Sequence, residues 1–147
     1  MIRKKYSLQT VLDLREKAKD KASEVFAAAV RDRDLAAARV TEAIARLEEL
    51  TRMISGERFS AWVREQGWNA LNAQRDLLRT LQNRLAQEEQ KVEAKRELLI
   101  AADRDHQLVL KLREKWAANI QLEAARAEEK QLEDFVTATR FLQTAIP

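Results

Sequence analysis

Apolar residues recur along this chain at alternating intervals of three and four, in two long stretches. In the first stretch Leu8, Val11, Ala18, Ala22, Val25 and Ala29 keep this rhythm, with Arg15 as the single polar entry. The rhythm slips near Asp32 and Arg33 and resumes at Ala36, Val40, Ala43, Leu47, Leu50 and Ile54. A phase slip of this kind changes supercoil winding without ending a helix. Leu12, Phe26, Val30 and Ile44 widen the stripe. In the second stretch Leu78, Leu85, Val92, Leu99, His106, Arg113, Ile120 and Ala127 stand seven apart. A companion row reads Leu81, Glu88, Lys95, Ala102, Val109 and Trp116 and is only partly apolar. Heptads sustained over this many turns predict a coiled coil.

Turn residues are almost absent. The chain has 2 Gly and 1 Pro, and the proline is Pro147. Sheet folds need a turn every ~10–15 residues, and Gly, Pro, Asn and Asp supply it. Gly56 and Gly67 both fall mid-chain, so the pattern predicts long helices with one reversal. The predicted fold is all-α: a long antiparallel two-helix coiled coil, a helical hairpin, with a C-terminal helical overhang. It forms a single domain over 1–147, with helix one over about 5–54, a tip over 55–68 and helix two over about 68–142. Gly56 suits the C′ position that closes helix one. Two arrangements of the tip stay open. Residues 57–66 form a short helix with Gly67 as a second break, or helix two starts near Glu57 and runs through Gly67 at a cost of ~1 kcal/mol.

The arms are unequal, ~75 Å and ~110 Å at ~1.5 Å per residue. With the turn near residue 61, Leu8 lies beside about Glu114, and the last ~25 residues outrun helix one. That overhang keeps Ile120, Leu122, Leu132, Phe135, Val136, Phe141, Leu142 and Ile146. An apolar stripe without an intrachain partner marks a binding surface, or a site of self-association.

Composition narrows the chemistry. Two glycines cannot build a Gly-rich phosphate loop. With 0 Cys and 1 His there is no zinc finger, no thiol catalysis and no paired-histidine di-metal bundle. No catalysis, cofactor or metal is expected. Lys and Arg number 27 against 24 Asp and Glu, a net charge of +3. That is a mixed solvated surface, not the one-sign basic stripe that nucleic acid requires. No apolar run approaches the ~18 residues of a membrane span. No signal segment follows Met1, so the chain is expected in the cytoplasm.

Several features admit two readings. Phe59, Trp62 and Trp68 at the tip either plug the end of the coiled coil or form a contact surface. Leu71, Leu77, Leu78 and Leu81 occupy more than one helix face, which favours the contact surface. His106, three residues after Asp103, either binds a metal weakly or serves as a polar seam residue, as does Arg113. Arg3, Lys4 and Lys5 form a basic start, and Glu123, Glu128, Glu129, Glu133 and Asp134 an acidic end. Both termini share one end of the hairpin, which suits a charged protein partner.

The opening Tyr6-Ser7-Leu8-Gln9-Thr10-Val11-Leu12-Asp13-Leu14-Arg15-Glu16-Lys17 resembles the start of the flagellar export protein family FliJ. The segment Gln90-Lys91-Val92 and the closing Ala127-Glu128-Glu129-Lys130-Gln131-Leu132-Glu133-Asp134-Phe135 are similar to its later stretches. The YscO-type stalk of virulence type III secretion has the same design. This resemblance implies a non-catalytic stalk that binds and stimulates a hexameric export ATPase, together with the ATPase's regulator. It also implies contact with the cytoplasmic domain of the export gate and recycling of export chaperones. The stalk would be monomeric alone and would reach the membrane only through its partners, at the cytoplasmic face of the export apparatus. The ATPase-facing end would carry Arg3, Lys4, Leu8, Leu132, Phe135 and Phe141. The gate- or chaperone-facing tip would carry Leu50, Trp62, Trp68, Leu77 and Leu81. Two other classes remain: an RNA-binding helical arm, and a self-assembling structural coiled coil.

Overall fold

A computed structural model of the chain describes residues 6–56 and 60–145. The described residues form two helices and no strand. Helix α1 spans Gln9–Gly56, 48 residues, and helix α2 spans Ala61–Ala145, 85 residues. The two pack against each other as a helical hairpin, the predicted fold class.

The reversal is shorter than the expected 55–68 tip. Gly56 is the last residue of α1, one place inside the expected cap, and 57–59 lie outside the described residues. Ser60 starts α2: its carbonyl accepts from the Arg64 N–H at 3.0 Å, and its hydroxyl oxygen accepts from the Val63 N–H at 3.4 Å. A serine at this position satisfies a donor that the first turn leaves unpaired. Helix α2 then runs through Gly67, which resolves the two tip arrangements in favour of the continuous helix.

Residues divide into two compact units, 18–103 and 1–17 with 104–147. In the first unit the helices are antiparallel. The Lys19 ammonium meets the Asp103 carboxylate at 3.2 Å, and Ile54 lies beside Gly67. Beside the half-buried Ala28, Val30 and Ala37, the row shielded from solvent on α1 in this unit is Lys19, Ala22, Phe26, Ala29, Arg33, Ala36, Val40, Ala43, Leu47, Leu50 and Ile54. These alternate three and four with no break, so the phase slip expected near Asp32 and Arg33 is absent. The apolar choices Val25 and Ala18 are exposed. Phe26 takes the place of Val25 and Lys19 that of Ala18, and Lys19 and Arg33 lay their aliphatic stems in the seam and keep their charged heads outside. On α2 both heptad rows are shielded from Leu78 to Leu99, and the polar Glu88 and Lys95 hold their seam places.

The second unit is built around Tyr6, Leu12 and Val109, with Leu110 and Trp116 packed against them. The Tyr6 carbonyl accepts from the Gln9 N–H at 3.1 Å, which leads the chain into α1. Leu8 and Val11, read as seam residues, are exposed, and Leu12 takes the buried place instead. Arg15 reaches Asp105 at 3.4 Å from an exposed position. His106 is half-buried on the seam, and its Nδ1 is buried without a hydrogen-bond partner. Arg113 is exposed, contrary to its expected seam role. At its level α1 has not yet begun, so no helix covers it.

Candidate protein-interaction surfaces

Each described residue from 121 to 145 is exposed. This is the segment that the unequal arms left without a partner. Its helical continuity follows from composition: Ala, Glu, Gln, Leu and Arg dominate, with no Gly and no Pro before Pro147. Of its large apolar residues only Phe141 stands on a seam row. The seam rows past Ile120 read Glu123, Ala127, Lys130, Asp134, Thr137, Phe141 and Thr144, largely polar. Leu132, Phe135, Val136 and Leu142 instead share one face at helical spacing. At ~100° per residue that face is centred roughly 135° from Trp116. Leu132 and Phe135 are 64% and 71% exposed.

Phe141 is also 71% exposed, but it lies nine residues from Leu132 and points to the other side, in phase with Trp116. The structure therefore brings Leu132 and Phe135 together and separates Phe141 from them. Leu8 is exposed just before α1. Arg3 and Lys4 lie outside the described residues. Val136 and Leu142 belong to the stripe, and their places, i+4 from Leu132 and i+7 from Phe135, signal this in the sequence.

At the other end of the first unit, Trp62 and Trp68 are 68% and 52% exposed. They do not plug the hairpin. Leu71, 3% exposed, and the Ile54 contact at Gly67 fill that place. Phe59 lies outside the described residues. Leu77 is exposed, whereas Leu50 and Leu81 are half-buried in the seam. Leu50 also lines a shallow groove of ≈ 280 Å³ with Met53, Ile54, Val63, Arg64, Gln66 and Gly67. A second depression of ≈ 230 Å³ shares Leu50 and Met53 and adds Arg46, Glu49 and Gln74. Met53 and Val63 were not among the residues picked out from sequence. Met53 stands three residues after Leu50, on its face, and a flexible thioether suits an adaptable surface.

The family model described as flagellar FliJ protein matches residues 4–143. No curated protein and no solved structure matches the chain.

Proposed function

The chain belongs to the flagellar FliJ family and so is a component of the flagellar export apparatus, and on that premise we propose that it acts as the stalk of the export ATPase. The proposed role is to bind the hexameric ATPase and its regulator through the exposed segment 121–145, together with Leu8 and the basic Arg3 and Lys4. Leu132 and Phe135 on one face and Phe141 on another suit a partner that surrounds the helix rather than one that covers a single side. The mechanism is allosteric. A stalk inside a ring shifts its subunits only by binding one of their states more tightly than another. Assembly and ATP hydrolysis then rise in the partner, while the chain itself does no chemistry.

The tip, with Leu50, Trp62, Trp68, Leu77 and Leu81, is the proposed surface for the cytoplasmic domain of the export gate and for export chaperones. The chain would work in the cytoplasm, and no described helix is long and apolar enough to cross a membrane. A self-assembling coiled coil is disfavoured, because between Ile120 and Phe141 the seam rows carry Ala127 as their one apolar residue and offer a second copy no continuous heptad stripe. An RNA-binding arm is disfavoured by the mixed charge along both helices.

The observation that carries this reading is the exposure of every described residue from 121 to 145. It is tested by truncating the chain after Ile120 and measuring ATP hydrolysis by the purified export ATPase. The truncated chain is expected to keep its hairpin, read as helicity in proportion to length, and to lose stimulation. Full stimulation by the truncated chain would overturn the proposal.

A further inference from the structure

The seam of residues 18–103 contains a register problem and its solution. Stepping residue for residue away from Ile54 beside Gly67 sets the levels of the two helices. On α1, alanine recurs every seventh position from Ala22 to Ala43, and the level positions on α2 carry Leu99, Val92, Leu85 and Leu78. This small-against-large row packs well, but it repeats every heptad. A slip of one heptad brings alanine back against leucine or valine. The apolar row is therefore indifferent to such a slip.

The other row is not. There Arg33 stands level with Glu88, and Phe26 with Lys95. Slipping one way sets Arg33 against Lys95 and Val40 against Glu88. Slipping the other way sets Phe26 against Glu88 and Lys19 against Lys95. Each slip therefore opposes two cations and faces a buried carboxylate with an apolar side chain. The carboxylate is buried: Glu88 is 4% exposed. Its counter-ions come from its own helix, Arg84 at 3.1 Å and Lys91 at 3.5 Å. Arg33 turns its guanidinium to Asp34 at 3.0 Å while its stem occupies the seam. A leucine at position 88 would stabilise the seam at least as well as this desolvated acid. Stability alone therefore does not explain Glu88.

We propose that the Arg33–Glu88 layer, backed by Lys95, is a register lock that excludes one-heptad slips of the hairpin. A polar residue at a single seam position is the best-attested device for such a purpose. The lock has a consequence at the tip. The groove between Leu50 and Met53 on α1 and Val63 and Gly67 on α2 is lined by residues that the native register brings level.

The chain has 0 Cys, so designed cysteine pairs report register without background. Ala29→Cys with Val92→Cys closes in the native register. Ala29→Cys with Leu99→Cys, or with Leu85→Cys, closes in one slip or the other. Intrachain disulfides formed under mild oxidation are compared in the parent, in Arg33→Glu, and in Arg33→Leu/Glu88→Leu. The parent is expected to close the native pair in large excess over the slipped pairs. Arg33→Glu should raise closure of the slipped pairs relative to the native pair about fivefold. The double-leucine variant, whose seam is more apolar and stays helical, should raise it about tenfold. If the double-leucine variant keeps the parent's ratio at full helicity, the connection sets the register and the proposal fails. That arm decides the question even if Arg33→Glu does not fold.

Discussion

Helix α2 passes through two regimes without a break in its backbone. Between Gly67 and Ala102 the leucines and valines on its heptad rows are shielded by α1, while Leu77 and Leu98, off the rows, are exposed. Between 121 and 145 it is equally helical and still carries Leu, Val and Phe, yet every described residue is exposed. Helix propensity does not separate the two stretches. Phase does. In the first, one row is apolar throughout and faces the alanine row of α1, and the other is apolar except at Gln74, Glu88 and Lys95. In the second, those rows read Glu123, Ala127, Lys130, Asp134, Thr137 and Phe141, and most apolar residues move to another face. Apolar content on a helix is thus stability in one place and a binding surface in another, and the heptad rows say which.

The sharpest way to break this comparison is to remove one leucine from each region. Leu71 is almost fully buried and Leu132 is largely exposed. Leu71→Ala loses transfer energy and leaves a cavity, about 2–3 kcal/mol. That corresponds to a fall in melting temperature of roughly 5–10 °C. Leu132→Ala is expected to stay within ~0.5 kcal/mol of the parent. Both are read from thermal melts followed by circular dichroism. Equal losses at the two sites would mean that 121–145 is packed in solution and that the comparison is false.

A smaller effect tests how the start of α1 is tied down. Tyr6 is buried, stacks at 5.3 Å and 52° on Trp116, and its hydroxyl donates to the Val109 carbonyl at 3.4 Å. The ring contact is worth ~0.5–1.5 kcal/mol beyond its buried area, whereas a hydrogen bond this long adds little. Tyr6→Ala is therefore expected to cost about 1–2 kcal/mol and Tyr6→Phe only a few tenths. A Tyr6→Phe loss as large as that of Tyr6→Ala would show that the hydroxyl, not the ring, holds the contact.

The fold was largely legible because a chain with two central glycines and sustained heptads leaves few alternatives. The α2 rows from Leu78 to Leu99 were readable even where Glu88 and Lys95 interrupt them, since strict sevens outrank polarity. On α1 the phase near Phe26 was misread: Val25 and Phe26 are apolar neighbours, and choosing Ala18 over Lys19 assumes that seam residues must be apolar. Long cationic side chains break that assumption by burying only their stems. The overhang was legible from arm lengths, and the face it presents from the spacing of Leu132, Phe135, Val136 and Leu142. Sequence could not reveal the Met53–Val63 groove or the Tyr6–Trp116 stack. Both depend on which residues two antiparallel helices bring level, and that needs the register.

The smallest effect concerns Gly67, where helix preference and close packing oppose each other. Glycine inside a helix is disfavoured by roughly 1 kcal/mol against alanine. A Cβ at this position would meet Ile54 Cγ1 at 3.1 Å and Cδ1 at 3.2 Å. Those atoms are the mobile end of a side chain, and Ile54 stands near the end of α1. A displacement of a few tenths of an ångström there costs less than the helix preference returns. Gly67→Ala is therefore expected to raise stability by about 0.5 kcal/mol, a rise in melting temperature of ~1–2 °C. Leucine cannot be accommodated by so small a shift, and Gly67→Leu should lose about 1–3 kcal/mol through overpacking. A loss in the alanine variant would show that Ile54 is held rigidly against α2. The close approach at Gly67 would then be a fixed part of the seam that closes the hairpin, and not a tolerated irregularity in α2.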